Sequence, residues 1–122
     1  MDDLKEWIKS YQDFPSPGIL FRDISPLLAE PSALTTLKNR FTEAIKPLSP
    51  DFIAGIDARG FLFSTLIAEH LEIGALMIRK PKKLPGELVT KSYDLEYGSN
   101  SLTMQRENLT GKSVVIVDDL LA

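Results

Sequence analysis

The sequence predicts an α/β fold in which a mostly parallel sheet is flanked by helices, and three observations lead there. Residues 51–57, DFIAGID, and 75–80, ALMIRK, read as strands around GFLFSTLIAEHLE (60–72), which has the pattern of a largely buried helix. Strand, helix and strand in succession imply a right-handed βαβ unit and a parallel sheet. The run Val114-Val115-Ile116-Val117 is short, apolar and β-branched, as suits a central parallel strand covered on both faces. It ends in Asp118 and Asp119, two carboxylates at the strand edge where open α/β sheets bind ligands.

The remaining elements follow in chain order. Residues 2–12 suit a short helix, with Asp2 or Asp3 as cap and Leu4, Trp7, Ile8 and Tyr11 on one face. FPSPGILFRDISP (14–26) carries three prolines and a glycine and cannot be a regular helix. Pro31 stands at a plausible first helical position, and Leu34, Leu37, Phe41, Ala44, Ile45 and Leu48 recur behind it at helical spacing. KPKKLPGE (80–87) is a basic loop, and LVTKSYDLEYG and SLTMQREN are two extended arms turning around Gly98, Ser99 and Asn100. Thr110, Gly111 and Lys112 turn the chain into the final strand.

The 122 residues amount to one domain at most. A net charge of −3 leaves no basic footprint for nucleic acid. The absence of cysteine excludes disulfides, thiolate catalysis and thiolate metal sites. The first residues lack the basic start and apolar centre of a signal peptide. No apolar run approaches the roughly 20 residues of a membrane span. A soluble cytoplasmic protein is expected, which makes the sequon Asn108-Leu109-Thr110 a chance match.

Several constellations could carry chemistry. Asp57-Ala58-Arg59-Gly60 lies between a strand and a helix whose first amides can face an anion, which makes a phosphate or pyrophosphate site credible. A surface pair between Arg59 and Asp57 fits the same spacing. Asp118 and Asp119 could accept sugar hydroxyls or hold a hydrated Mg²⁺, or simply form an acidic strand-to-helix turn. Arg79, Lys80, Lys82 and Lys83 place four cations beyond a strand end, at the same sheet edge as the other two clusters. Cations and anions converging there suit a substrate with phosphates, hydroxyls and a bound metal, although such a run is ordinarily a solvated loop. Glu96 and Tyr97 could be an acid–base residue and a stacking aromatic, or exposed hairpin residues. TGKS (110–113) resembles the tail of a phosphate-binding loop, but it precedes a strand and lacks the earlier glycine, so it is a turn. His70 reads as structural, and Phe41, Phe61 and Phe63 as packing residues.

Taken in order, FPSPGILFRDISPLL (14–28), IAGIDARGFLF (53–63), IRKPKKLPGE (78–87), SYDLEYG (92–98) and VVIVDDLLA (114–122) resemble the adenine phosphoribosyltransferases, of the type I phosphoribosyltransferase class. The resemblance implies an N-terminal hood over residues 1–30 and a mobile lid hairpin over 80–98. It implies transfer of ribose 5-phosphate from Mg²⁺-bound phosphoribosyl pyrophosphate (PRPP) to N9 of adenine, giving AMP and pyrophosphate in purine salvage. Ile19, Leu20, Phe21 and Arg22 would form the adenine pocket, with Phe21 stacked on the ring. Arg59 and Lys80 would hold pyrophosphate, and Lys83 would be a further substrate-binding residue. Asp118 and Asp119 would hold the ribose hydroxyls directly or through the metal's shell, with no direct protein ligand to Mg²⁺ required. Glu96 would be the general acid/base or purine-orienting group, accompanied by Tyr97, while Arg59 stabilises the leaving group. Arg79 would face a neighbouring subunit's site, implying a homodimer. No membrane or nucleic-acid partner is implied.

Two departures stand against the family pattern. Ser64 occupies a position usually held by glycine, just inside the helix after the pyrophosphate turn. The family also continues from DDLLA into a Thr-Gly-Gly-Thr loop that cradles the 5-phosphate, so the resemblance implies a domain incomplete at its C-terminus. Losing two or three charge-assisted hydrogen bonds would remove about 3–9 kcal/mol of binding. That is an affinity at least ~100-fold weaker and uncertain turnover by the shortened sequence. An unfilled neighbourhood would also leave the SVVIV strand exposed along one side. A non-catalytic PRPP- or nucleotide-sensing domain is the alternative, but such a domain has no need of Glu96 or the hood. A Mg²⁺-dependent receiver domain fits the arms at 88–106 poorly.

Overall fold

The computed structural model describes residues 2–95 and 98–119. The chain divides into two compact units, Met1–Phe41 and Thr42–Ala122. Among the described residues no helix is long and apolar enough to cross a membrane.

In the first unit α1 covers only Asp2–Lys5, and Lys9–Gln12 form strand β1. The helix expected over 2–12 is thus cut short. Asp13 and Gly18 adopt φ values of 59° and 86°, and the Gly18 N–H donates to Asp13 Oδ1 at 2.8 Å. That closed turn brings β2, Leu20–Asp23, antiparallel onto β1, with Tyr11 opposite Phe21. An isolated eleven-residue helix is marginal in water, so the strand ladder prevails. The expected apolar face survives in part, because Trp7 and Ile8 still pack on the cluster of Leu4, Leu27 and Ala33 beside Leu37.

Asp23 Oδ1 accepts the Ser25 N–H at 2.9 Å and its hydroxyl at 2.6 Å, which holds the Asp23 carboxyl below the usual aspartate range. These bonds open α2, Ser25–Ala29, with Pro26 in its first turn. Helix α3 starts at Pro31, as expected, and runs to Ile45. Lys46–Leu48 then tighten into a 3₁₀ turn containing Pro47. Leu48 therefore leaves the helical stripe and is 65% exposed, and Ala44 is exposed too.

The second unit holds β3 (Phe52–Ile56), α4 (Gly60–Leu71), β4 (Gly74–Ile78) and β7 (Val114–Val117). All three strands are parallel, in the order β4-β3-β7. The βαβ unit stands as expected, but the centre of this sheet is β3, where Ile53, Ala54 and Gly55 are buried. β7 is its edge, with Val117 buried and Ile116 59% exposed. α4 buries Phe63, Ser64, Ile67 and Ala68 and turns Leu62 outward, so it is amphipathic and not buried all round. Phe63 is core, whereas Phe41 and Phe61 are half-buried. His70, read as structural on a buried-helix pattern, is exposed in the last turn of α4.

The arms form an antiparallel hairpin, β5 (Leu88–Leu95) and β6 (Gly98–Gln105). Leu95 pairs with Gly98 and Tyr93 with Asn100, so Gly98–Asn100 already belong to the ladder and do not form the turn. Glu96 and Tyr97 lie outside the described residues. At the other end, Gly111 takes φ 77° in the turn before β7.

Asp51 and Ser113 clasp the start of β3 to the start of β7. The Ser113 N–H and hydroxyl donate to Asp51 Oδ2 at 2.8 and 3.3 Å, while the Asp51 and Phe52 N–H groups donate to the Ser113 carbonyl. The Ser113 bonds hold the Asp51 carboxyl below its ordinary value of 3.8. A lowered folded-state value contributes stability above the unfolded value, which is lost as pH falls through the folded one. Asp51→Ala should therefore lower the melting temperature at pH 7, and the gap to wild type should close below pH 3.8. Thermal melts across pH 2–7 check this; a gap independent of pH would exclude the carboxylate as its source.

Candidate active site

The parallel strands deliver their carboxyl ends to one edge, and three segments meet there. The first is Asp57-Ala58-Arg59, joining β3 to α4, with a cis Asp57–Ala58 peptide. The second is Asp118-Asp119, following β7. The third begins at Arg79, following β4.

Two glycines permit the close approach of the first two. A Cβ on Gly60 would lie 2.9 Å from the Val117 carbonyl and 3.3 Å from Asp118 Oδ1. A Cβ on Gly55 would lie 2.7 Å from the Gly60 carbonyl and would collide with Ser64 Oγ. The first turn of α4 thus rests directly on the ends of β3 and β7. The Phe61 and Leu62 N–H groups donate back to the Ala58 and Arg59 carbonyls at 3.2 and 3.1 Å, and the positive end of the helix dipole lies at this edge. Ser64 is buried, its hydroxyl donating to the Phe61 carbonyl at 3.5 Å. The space that Gly55 leaves is what accommodates the hydroxymethyl group.

Arg59 and the acidic pair share this edge. Arg59 Nε lies 3.0 Å from Asp119 Oδ2, and Asp119 is the more buried partner. The alternative pairing of Arg59 with Asp57 is not formed. Asp57 instead receives Arg79 Nε at 3.4 Å, and the Arg79 guanidinium lies over the Phe61 ring at 5.9 Å. The two aspartates differ in state. Asp118 Oδ1 accepts the Asp119 N–H at 2.9 Å. Partial desolvation, with a contribution from the neighbouring Asp119 charge, pushes the Asp118 carboxyl above the ordinary aspartate range. A carboxyl in that condition gains from a cation or a hydroxyl donor brought to it.

Lys80, Lys82 and Lys83 are exposed in the loop after Arg79, and Lys82 takes φ 69°. Glu96 and Tyr97 lie outside the described residues, as do Leu120–Ala122.

The first unit has its own pocket of about 440 Å³, lined by Tyr11, Phe14, Phe21, Asp23 and Ser25. Phe14 and Phe21 meet edge to face with centroids 5.1 Å apart. Strand alternation gives Phe21 and Asp23 to this pocket. Ile19 and Leu20 are nearly half exposed, and Arg22 Nη1 donates to Ser10 Oγ at 3.1 Å. Of the four residues expected around a purine, Phe21 lines the pocket, and Tyr11 and Phe14 join it. Those two were missed because Tyr11 was assigned to a helix face and Phe14 to a proline-rich turn.

The sheet edge where a helix-opening arginine turn meets a strand-ending acidic pair falls within residues 32–122, which the model of the phosphoribosyl transferase domain family matches. The chain is 49% identical over 121 residues to the adenine phosphoribosyltransferase of Gluconacetobacter diazotrophicus, covering 98% of this chain and 69% of that protein. The crystal structure of adenine phosphoribosyltransferase from Thermoanaerobacter pseudethanolicus superposes with a TM-score of 0.91 at 42% identity, over 99% of this chain and 71% of that one. The Saccharomyces cerevisiae enzyme, solved with adenine and an imino-altritol bisphosphate, gives 0.91 at 36% identity, over 99% and 72%. This chain belongs to the adenine phosphoribosyltransferase family.

Filling the space at Gly55 should be costly. Gly55→Ala should destabilise by about 1–3 kcal/mol through overpacking. Ser64→Gly in the same chain should restore only part of it, since the Gly60 carbonyl remains in the way. Urea denaturation of both variants checks this; full recovery would show that Ser64 alone sets the fit.

Proposed function

We propose that this chain carries out the adenine phosphoribosyltransferase reaction of purine salvage, moving ribose 5-phosphate from PRPP to N9 of adenine and releasing pyrophosphate. The observation that carries the reading is the 3.0 Å approach of Arg59 to Asp119 across the ends of β3 and β7. It supports one cleft with a cationic side for pyrophosphate and an anionic side for ribose hydroxyls.

Arg59 and the positive end of the α4 dipole hold the leaving group, and preorganised charge there stabilises what develops as the C1–O bond breaks. Pyrophosphate competes with Asp119 for the Arg59 guanidinium, and the displaced carboxylate turns to the ribose. Asp118 lies beside it, with a carboxyl that a hydroxyl or the Mg²⁺ carried by PRPP would stabilise. Lys80 and Lys83 reach the same end from the exposed loop. The sugar passes through an oxocarbenium-like state that water would trap, so residues 80–98 serve as the covering lid. Phe21 stacks the adenine ring in the aromatic pocket, with Ile19, Leu20 and Arg22 supplying neighbouring backbone and side-chain contacts. A site built to donate and accept along the adenine edge rejects a 6-oxo purine, because a buried group is then left unpaired. Glu96 assists at the purine and Tyr97 closes with it; a homodimer, to which Arg79 contributes, and a cytoplasmic setting complete the proposal on the strength of the resemblance.

Adenine with saturating Mg²⁺ and PRPP should release AMP and pyrophosphate in equal amounts, with hypoxanthine at least ~100-fold poorer. Arg59→Ala should lower kcat/KM for PRPP by roughly 10–100-fold, as expected for one charge-assisted contact. Phe21→Ala should raise the KM for adenine about 5–100-fold through the lost stack. Initial-rate assays by chromatography check all three. Calorimetric binding of PRPP with no adenine-dependent turnover would overturn the transferase reading.

A further inference from the structure

Among the described residues the two sheets of the second unit are linked by backbone hydrogen bonds at the isolated antiparallel bridge between Arg79 and Thr103. Arg79 is the first residue beyond β4, and Thr103 lies inside β6. The Arg79 N–H donates to the Thr103 carbonyl at 2.9 Å, and the Thr103 N–H returns the bond at 2.8 Å. The Thr103 hydroxyl, on a buried residue, donates a third bond to the same Arg79 carbonyl at 3.0 Å. The Arg79 backbone is therefore held by the hairpin. Its side chain points the other way, with Nε 3.4 Å from Asp57 Oδ2 and the guanidinium over Phe61. Asp57 opens the pyrophosphate turn, its own N–H donating to the Ile78 carbonyl at 2.9 Å. Phe61 lies in the first turn of α4.

A continuous set of short contacts thus runs from β6 through Arg79 to the turn that bears Arg59. We propose that Thr103 is a positioning residue, which through Arg79 and Asp57 couples the hairpin β5–β6 to the pyrophosphate turn. An anion that orders the turn then also orders the hairpin, and the coupling is reciprocal. A two-stranded hairpin is marginal alone, so its order depends on such an anchor. The proposal deepens the transferase reading and rests on it, since it takes pyrophosphate as the ligand of the turn.

The test is hydrogen exchange by mass spectrometry on the 122-residue chain, with and without Mg²⁺-pyrophosphate. In wild type, peptides over 57–64 and over 88–105 should both exchange more slowly when pyrophosphate is bound. Thr103→Val keeps both backbone bonds of the bridge and the side-chain shape. At saturating Mg²⁺-pyrophosphate it should leave the protection at 57–64 and reduce that at 88–105 by about 2–10-fold, the worth of one hydrogen bond. Thr103→Ser should restore it, and Asp57→Asn should weaken it from the other end. In turnover, Thr103→Val should lower kcat while the KM for adenine stays unchanged. Equal hairpin protection in wild type and Thr103→Val would overturn the coupling and leave the transferase reading intact. Absence of protection at 57–64 in wild type would overturn both.

Discussion

Helix α4 sits on the carboxyl ends of β3 and β7 at backbone-to-backbone range, and the rest of the site depends on that seat. The positions where Gly55 and Gly60 would carry a Cβ are already filled, by the Gly60 carbonyl in one case and the Val117 carbonyl in the other. Because nothing intervenes, the residue just before the helix, Arg59, comes into ion-pair range of the residue two beyond β7. Any thicker spacer would lengthen that distance and separate cation from anion. Ser64 shows how tightly the allowance is drawn, since its hydroxymethyl lies in the space left by Gly55.

The same proximity divides labour between two neighbouring carboxylates. Asp119 has a guanidinium partner, whereas Asp118 has a backbone N–H and a like charge beside it. Desolvation of the second without full compensation leaves it the better acceptor for an incoming hydroxyl or metal. Asp57, which could have competed for Arg59, is occupied by Arg79. The Arg79–Asp57 pair therefore leaves Arg59 without a carboxylate partner inside its own turn.

Much of this could be read from the chain. The βαβ unit showed in the change of period from 2 to 3.6 and back between residues 51 and 80, and the parallel pairing of β3 with β4 follows from it. The acidic strand end and the Arg59 turn were visible because both break an apolar run with charge. What remained hidden was set by distant residues. Leu4, Trp7, Ile8 and Tyr11 have helical spacing, yet Lys9–Gln12 are drawn into a ladder with Leu20–Asp23, which return after the Asp13–Gly18 turn. His70 follows an apolar pattern but falls on the exposed side of α4's last turn. Local patterning marks β7 as a strand but says nothing of its place in the sheet. That Arg79 pairs with Asp57, and Tyr11 with Phe21, is a matter of register between segments far apart in sequence.

The clasp between Asp51 and Ser113 stands at the opposite end of the strands from the candidate site, with the four residues of β7 between Ser113 and the acidic pair. Displacing β7 by a single residue along β3 would turn its inward side chains outward and carry both aspartates one position along the edge. The aspartate now beside Arg59 would leave it. The placing of charge at this edge is thus decided at the strand's entry, far from the residues that carry it.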